Sequence, residues 1–303
     1  MDNSTFYVSP SPHVRSRTTT QSIMLDVIIA LCPALAVSAI VFGLRALLVV
    51  AFCVGVCVLS EFLFEKIVKR DVTVGDLSAV VTGMLLGFNL PVGIPLWQAA
   101  VGCIVAIVIV KQLFGGIGCN FANPAITARI VMMISFASSM SSFATKNDVT
   151  SSATPLSGGH VPSTVDLLIG NHAGSLGETC ALALLAGGVY LIARRVITWH
   201  TPVVFIGTVF VLSWAFGADP VQQILTGGLM LGAIFMATDY ATTPHTPWGR
   251  VIFGFGCGLI TVLIRSFGSY PEGVSFAILF MNILTPLISS WTRRRPFGGV
   301  KQK

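Results

Sequence analysis

The stretch Thr82–Pro95, TGMLLGFNLPVGIP, begins as an apolar helix and breaks before it could cross a membrane. It belongs to an apolar segment over 76–90, which is shorter than the roughly 20 residues that a spanning helix needs. A similar stretch, Thr226–Gly232, TGGLMLG, lies in the second half of the chain. Short or interrupted segments at matching places in two halves point to a buried ligand site in a membrane protein.

The composition is that of a membrane protein. The 303 residues are 54% hydrophobic and 10% charged, whereas soluble domains carry about 25% charged residues. The net charge of +6 does not indicate nucleic-acid binding, because the positive residues stand at the ends of apolar segments, as membrane topology requires. Apolar character begins near Ile23 and continues as a first spanning helix, so we predict no cleavable signal peptide.

Ten apolar segments follow from the hydropathy pattern, and we predict an all-α polytopic membrane protein with broken helices. The ten predicted transmembrane segments are 22–43, 46–65, 76–90, 95–112, 124–142, 175–193, 202–217, 220–238, 250–267 and 273–291. They divide the chain into a cytoplasmic lead (1–22), a first five-helix repeat (23–142), an outer loop (143–174), a second five-helix repeat (175–291) and a basic cytoplasmic tail (292–303).

The positive charges orient these segments, because cytoplasmic loops of membrane proteins are enriched in Lys and Arg. With both termini in the cytoplasm, fifteen of the 18 basic residues fall inside and three outside. The inside set is Arg15, Arg17, Lys66, Lys69, Arg70, Lys111, Arg129, Arg194, Arg195, Arg250, Arg293, Arg294, Arg295, Lys301 and Lys303, and the outside set is Arg45, Lys146 and Arg265.

The two halves resemble each other in sequence order. TGMLLG and TGGLMLG each follow an aspartate, Asp76 and Asp219, and GCNFA (Gly118–Ala122) resembles GVSFA (Gly273–Ala277). With five segments in each half, the second half starts on the opposite side of the membrane, so the repeat would be inverted. Chance similarity between helices rich in Gly and Leu is the alternative.

Polar residues beside the interrupted segments are the candidate binding residues. In GGIGCNFANPA (Gly115–Ala125), Asn120 and Asn123 place amides where the chain re-enters the membrane, and Pro124 suits the first turn of a helix. A tight turn with capping asparagines is the alternative. Asp239 closes segment eight, either as a functional acid or as a solvated loop acid.

The remaining acids and cysteines have simpler interpretations. We expect Glu61 and Glu65, one helical turn apart, to form the hydrated end of helix two beside Lys66 and Lys69. Cys53 and Cys57 share a helix face, and packing accounts for them better than a metal pair does, because cysteine behaves as a small buried hydrophobe. We predict no zinc or iron–sulfur site in the chain.

Four motifs taken together resemble a known family. They are DVTSSATPLSG (148–158), GGIGCNFANPAITAR (115–129), MATDYATTP (236–244) and SYPEGVSFAILFMN (269–282). In their order they resemble the D subunits of Rnf ion-translocating ferredoxin:NAD oxidoreductases. The B subunits of sodium-pumping NADH:quinone reductases are close relatives and stand as the alternative, but the short polar lead here favours the Rnf family.

The resemblance implies two flavins. The run Asp148–Thr154 is similar to the family's flavinylation pattern, in which a flavin transferase joins FMN through its phosphate to the threonine hydroxyl, here Thr154. The resemblance also implies a non-covalent riboflavin on the cytoplasmic side, near Asn120, Asn123 and Asp239. One flavin at the outer face could not deliver electrons across a hydrocarbon core of about 30 Å, which is why a second centre is expected.

The implied function is that of one subunit in a redox-driven Na⁺ or H⁺ pump of the bacterial cytoplasmic membrane. The partners would be the iron–sulfur, NADH-binding and second FMN-carrying subunits, together with the lipid bilayer, and the Thr154 loop would face outward. The family's five-helix repeat also resembles urea channels, so a solute channel is one alternative and a structural membrane scaffold is another, because a fold does not settle function.

Overall fold

The molecule is a bundle of apolar helices with one small β-hairpin. The computed structural model describes residues 18–145, 148–152, 163–170, 174–178, 180–268 and 273–293. In the first half the helices are α1 (Thr20–Phe42), α2 (Leu44–Val68), α3 (Ser78–Phe88), α4 (Leu96–Ile104), its π-helical continuation π1 (Val105–Gln112), α5 (Pro124–Ser135) and the short α6 (Ala137–Met140). A 3₁₀ turn at Val74–Asp76 precedes α3.

The second half follows the same alternation of long and broken elements. Its helices are α7 (Thr164–Ile169), α8 (Ala181–Ala193), α9 (His200–Ala215), α10 (Pro220–Leu225), α11 (Leu229–Leu231), the π-helical turn π2 (Gly232–Met236), α12 (Pro247–Phe267) and α13 (Val274–Trp291). Each of the ten predicted segments therefore contains helix.

Four of these helices, α1, α2, α12 and α13, are long and apolar enough to cross a membrane by length and composition. Five shorter apolar helices accompany them in the described part of the chain: α3, α4 with π1, α5, α8 and α9. The chain is thus a multi-pass membrane protein, while the count of ten spans and the inverted repeat stay predictions.

The predicted interruptions are present in both halves. Helix α3 has 11 residues, which makes it about 16 Å long, and the chain then runs to Pro95 without helix. In segment eight, α10 ends at Leu225, and Gly227 and Gly228 take φ values of 67° and 66° before α11 begins. Glycine allows this left-handed backbone at no steric cost, so the break is encoded locally.

A short β-hairpin accompanies the helices of this predominantly α-helical fold. Strands β1 (Phe143–Thr145) and β2 (Asp148–Ser152) pair antiparallel, with Phe143 opposite Ser152 and Thr145 opposite Asp148. The hairpin lies at the start of the predicted outer loop. Strand β2 contains the first five residues of the flavinylation pattern.

All five tryptophans lie at helix ends and point outward. Trp97 and Trp248 are second residues of α4 and α12, Trp199 precedes α9, Trp214 is next to last in α9, and Trp291 ends α13. Each is more than half exposed. Tryptophan is enriched where a bilayer meets water, so the helix ends coincide with the expected interfaces.

Small residues let the helices approach closely. A Cβ added at Gly83 of α3 would lie 2.7 Å from the Val54 Cα of α2, and one at Gly258 of α12 would lie 2.6 Å from the Thr208 Cβ of α9. Close backbone approach through glycine is the usual way in which membrane helices gain packing energy. These two helix pairs form the packed centres of the two halves.

Candidate functional site

A cavity of about 380 Å³ lies between the two halves. Helices α1 and α3 and the connection before α5 line it from the first half, and the end of α8 and the residues around π2 line it from the second. Much of its surface is apolar, from Met24, Leu85, Leu191 and Phe235 among others. Sites for small molecules combine such a volume with apolar walls and a few polar groups, which makes this cavity the candidate site.

One side of the cavity, here called the cationic wall, is formed by Lys111 and Ser78. Lys111 in π1 is 3% exposed, and its Nζ lies 2.5 Å from Glu61 Oε1 and 2.5 Å from Ser78 Oγ. Ser78 is the first residue of α3. A charge inside an apolar segment is costly unless it is paired, and Glu61 supplies the pairing here.

The acids behind the cationic wall correct a sequence prediction. Glu61 and Glu65 are 0% and 2% exposed, so they do not form a hydrated helix end. The Gln112 amide donates to both carboxylates, at 2.6 and 3.3 Å, and the Thr73 hydroxyl donates to Glu65 at 2.5 Å. The sequence prediction failed because π1 and the turn before α3 fold over this end of α2.

Asp239 and Asn120 both line the cavity. Asp239 follows π2 and is half-buried, and its Oδ2 accepts from the Thr242 hydroxyl at 3.1 Å. Burial raises the pKa of this carboxyl above its usual range, while hydrogen bonds from Thr242, the Ala241 backbone and Asn120 act in the opposite direction. Asp239 and Asn120 come from different halves, so this contact joins them.

Asn123 also lines the cavity, but most of its amide is used by the backbone. Its Oδ1 accepts from the Ala125 and Ile126 N–H groups at 3.1 and 3.3 Å, and its Nδ2 donates to Met236 O at 3.3 Å. The capping interpretation is therefore confirmed, with Pro124 as the first helical residue. Of the four hydrogen bonds that an asparagine amide can make, one N–H is left for a ligand.

Asn282 of α13 strengthens the same junction between the halves. With its amide oxygen turned toward α5, it accepts from the Asn123 N–H at 3.1 Å and donates to Thr242 O at 3.2 Å. Thr285 donates to the same Thr242 carbonyl at 2.8 Å. Buried amide and hydroxyl groups therefore fix the backbone beside Asn123, which lines the cavity.

A second buried charge cluster was missed by the sequence analysis. Arg129 in α5 is 3% exposed; its Nη1 lies 2.5 Å from Asn89 Oδ1 and its Nη2 lies 3.7 Å from Glu178 Oε1. The count of basic residues assigns Arg129 and Lys111 to the cytoplasmic side, yet both are buried. Without these two residues, the predicted cytoplasmic side still carries more basic residues than the outer side. Their positions within apolar segments were the available indication.

Thr154, the attachment residue that the resemblance implies, lies outside the described residues. The described part of the motif is the backbone of β2. Cys53 and Cys57 are fully buried and form no disulfide, which fits a packing role. No group of three or more metal-ligating side chains occurs within the part of the chain that the structure describes.

Known proteins resemble the chain over nearly its whole length. The NQR2, RnfD, RnfE family matches residues 7–298. The D subunit of the Na(+)-translocating ferredoxin:NAD(+) oxidoreductase complex of Acetobacterium woodii is 49% identical over 98% of this chain and 96% of that protein. The D subunit of the proton-translocating ferredoxin:NAD(+) oxidoreductase complex of Clostridium ljungdahlii is 40% identical over 97% and 96%. The D subunit of an ion-translocating oxidoreductase complex of Escherichia coli is 34% identical over 97% and 98%.

Proposed function

The chain belongs to the NQR2, RnfD, RnfE family, and on that premise we propose that it is the flavin-carrying D subunit of an ion-translocating ferredoxin:NAD⁺ oxidoreductase complex. The observation that carries the proposal is the full-length similarity to relatives named as that component. The proposal covers either ion, since one relative is named for Na⁺ and another for protons. The iron–sulfur, NADH-binding and second FMN-carrying subunits of the complex are its partners.

The proposed topology has ten spans in two inverted five-helix repeats, with both termini in the cytoplasm of a bacterium. Helix in all ten segments and the outward tryptophans at helix ends support it. Helix α1 packs against α8, and α5 packs against α13. These contacts join first segment to first and fifth to fifth, which is the pairing that a twofold-related repeat requires.

The proposed covalent cofactor is FMN, esterified through its phosphate to Thr154 by a flavin transferase outside the cytoplasm. The support is the sequence pattern Asp148–Thr154, in which a hydroxyl acceptor follows small residues. Strand β2 ends at Ser152, so the acceptor comes two residues after a hydrogen-bonded strand.

The proposed second cofactor is a non-covalent riboflavin, and the cavity between the halves fits it. A flavin ring is a large apolar surface with carbonyls and an N–H along one edge. The cavity offers apolar walls, a lysine ammonium, and the polar groups of Asn120, Asn123 and Asp239. These residues would hold the ring and exclude water, and the flavin would supply one- and two-electron chemistry.

The protein's own contribution is to build an apolar site with a polar edge between the two halves. The side chains of Asn123 and Asn282 hydrogen-bond to backbone groups beside the cavity. Lys111 is held by Glu61 and Ser78. Moving one charge across a membrane is worth about 2.3 kcal/mol per 100 mV. The proposed source of that energy is electron transfer between the two flavins.

The test is a flavin count by chain in the intact complex. Thr154→Ala should abolish in-gel flavin fluorescence of this chain after denaturation, and ferredoxin:NAD⁺ activity should fall at least tenfold because the relay is broken. Acid-extractable flavin should be unchanged. Ser157→Ala, a hydroxyl deletion in the same interval, is the matched control and should keep both the band and the activity.

Two results would oppose the proposal in different ways. A fluorescent band that survives Thr154→Ala moves the covalent site elsewhere. Full ferredoxin:NAD⁺ activity in a complex lacking this chain removes the assigned function altogether.

A further inference from the structure

We propose that Lys111 is the residue that makes the cavity favour the reduced, negatively charged form of its flavin over the oxidised, neutral form. The inference rests on the proposed function, which places a non-covalent flavin in this cavity. It assigns a specific role to a buried cation that the charge count places on the cytoplasmic side.

The first support is the fixed position of the ammonium. Its contacts with Glu61 Oε1 and Ser78 Oγ, both 2.5 Å, hold it at the cavity edge. A lysine ammonium has three N–H donors, and these two contacts use two of them. One donor remains for a group inside the cavity.

The second support is the direction of the charge pair. Lys111 lines the cavity and Glu61 does not, so the ammonium lies on the cavity side and the carboxylate lies behind it. Glu61 also shares its Oε1 with the Gln112 amide at 2.6 Å. The pair therefore presents its positive end to the ligand, although Glu61 reduces the net field.

The third support is the position of two helix N-termini. Helices α3 and α5, of 11 and 12 residues, both begin at the cavity, at Ser78 and Pro124. The first N–H groups are already bonded to Asp76 and Asn123. The Asp76 carboxylate offsets the dipole of α3, whereas the Asn123 amide is neutral, so the net addition is the positive end of the α5 dipole, equivalent to about half a charge before screening.

Reduction of a flavin ring explains why this field matters. The ring takes up two electrons and one proton, which leaves one negative charge, and no protein bond forms or breaks. In the complex the electrons come from a partner's redox centre, and in a titration they come from dithionite. A charge near the ring is a principal means by which a protein sets flavin energetics, and a nearby cation stabilises the anionic form relative to the neutral one.

The test compares riboflavin binding to the two redox states of the purified complex after its extractable flavin has been removed. Lys111→Met alone would leave Glu61 unpaired, so the informative variant is Lys111→Met with Glu61→Gln. It should lower the affinity for dithionite-reduced riboflavin relative to oxidised riboflavin by about tenfold or more. For a two-electron couple, tenfold corresponds to a midpoint potential about 30 mV lower.

Two variants serve as controls. Arg265→Met removes a cation that ends segment nine but does not line the cavity, and it should leave the ratio of the two affinities within about twofold. Glu61→Gln keeps the ammonium and removes the opposing charge, so the preference for reduced riboflavin should stay or increase. This single variant also tests the idea if the double variant does not assemble.

The outcomes distinguish a failure of this inference from a failure of the proposal that a non-covalent flavin binds in the cavity. If the double variant binds riboflavin with the wild-type ratio, or if Glu61→Gln loses the preference, Lys111 does not set it, and the second flavin stands. If the wild-type complex binds no riboflavin in either state, the cavity is not a flavin site and both fall.

Discussion

Lys111 and Arg265 close the fourth segment of their respective halves, yet they are stabilised in different ways. Lys111 is paired with a buried carboxylate and lines the cavity. Arg265, in the last turn of α12, donates to the carbonyl oxygens of Gln223, Thr226 and Gly227 at 2.5, 3.1 and 3.3 Å. The Gln223 carbonyl belongs to the last turn of α10, and the other two belong to the break between α10 and α11. Lys111 thus lines a cavity, whereas Arg265 donates hydrogen bonds to the carbonyl oxygens of an interrupted helix.

This difference shows that equivalent positions in a repeat need not keep one function. Unwound backbone carbonyls at a helix break can bind cations, and in the second half a guanidinium occupies them. In the first half the third segment carries one uninterrupted helix, α3, and the cation of the fourth segment pairs with Glu61 beside the cavity. Three experiments test this difference between the two cations.

The largest expected effect concerns the sides of the membrane on which the two cations lie. If the repeat is inverted, Cys119, exposed in the connection after π1, is cytoplasmic and position 163 is outside. In a background without the other six cysteines, Cys119 should react with an impermeant maleimide only after lysis. Ser163→Cys, with Cys119 also removed, should react in intact cells. Labelling of both positions from one side would contradict the inverted repeat, and Lys111 and Arg265 would then not be equivalent positions in it.

The next effect concerns the buried pair. Glu61→Leu leaves the Lys111 ammonium without its carboxylate in an apolar segment, which should cost about 3–5 kcal/mol of stability. The complex should show a clearly lower unfolding temperature in detergent. Adding Lys111→Met should restore most of the loss, because an apolar replacement of both partners is often neutral. An unchanged unfolding temperature in Glu61→Leu would mean that the pair does not form.

The smallest effect belongs to Arg265. Arg265→Leu leaves carbonyl oxygens of the helix break with fewer partners and should cost about 1–3 kcal/mol. Arg265→Lys should retain part of that stability because an ammonium still donates, though without the guanidinium's planar fork. Thermal unfolding of the same complex measures both. A loss as large as that of Glu61→Leu would show that the two cations are equally critical.

Much of the helical framework was predictable because it is encoded locally. Helix in every predicted segment, the break at Gly227 and Gly228, and the cap formed by Asn123 before Pro124 all follow from patterns within a few residues. The structure brings Asn120 and Asp239 into contact. Their contact spans the two halves, and family resemblance rather than spacing indicated it.

The buried charges were not predictable in the same way. Lys111 and Glu61 are 50 residues apart in sequence, and neither hydropathy nor charge counting reveals that one will neutralise the other. Glu61, Glu65 and Lys111 each stand near a segment end, where a solvated position was the simpler expectation. The hairpin was missed because its polar residues lack the alternation that marks a half-buried strand.

The buried ion pairs also bear on how the chain is synthesised. Arg129 sits inside the fifth segment, and an arginine at the centre of a helix opposes insertion by about 2.5–3.5 kcal/mol. Its acidic partner Glu178 is made only after the following loop, so for a time the ribosome has produced the arginine without its acid. The fifth segment should therefore stay beside the insertion machinery until the second half emerges, or Arg129 should be stabilised meanwhile by its hydrogen bond to Asn89. Release of the first half into lipid would then depend on translation of the second.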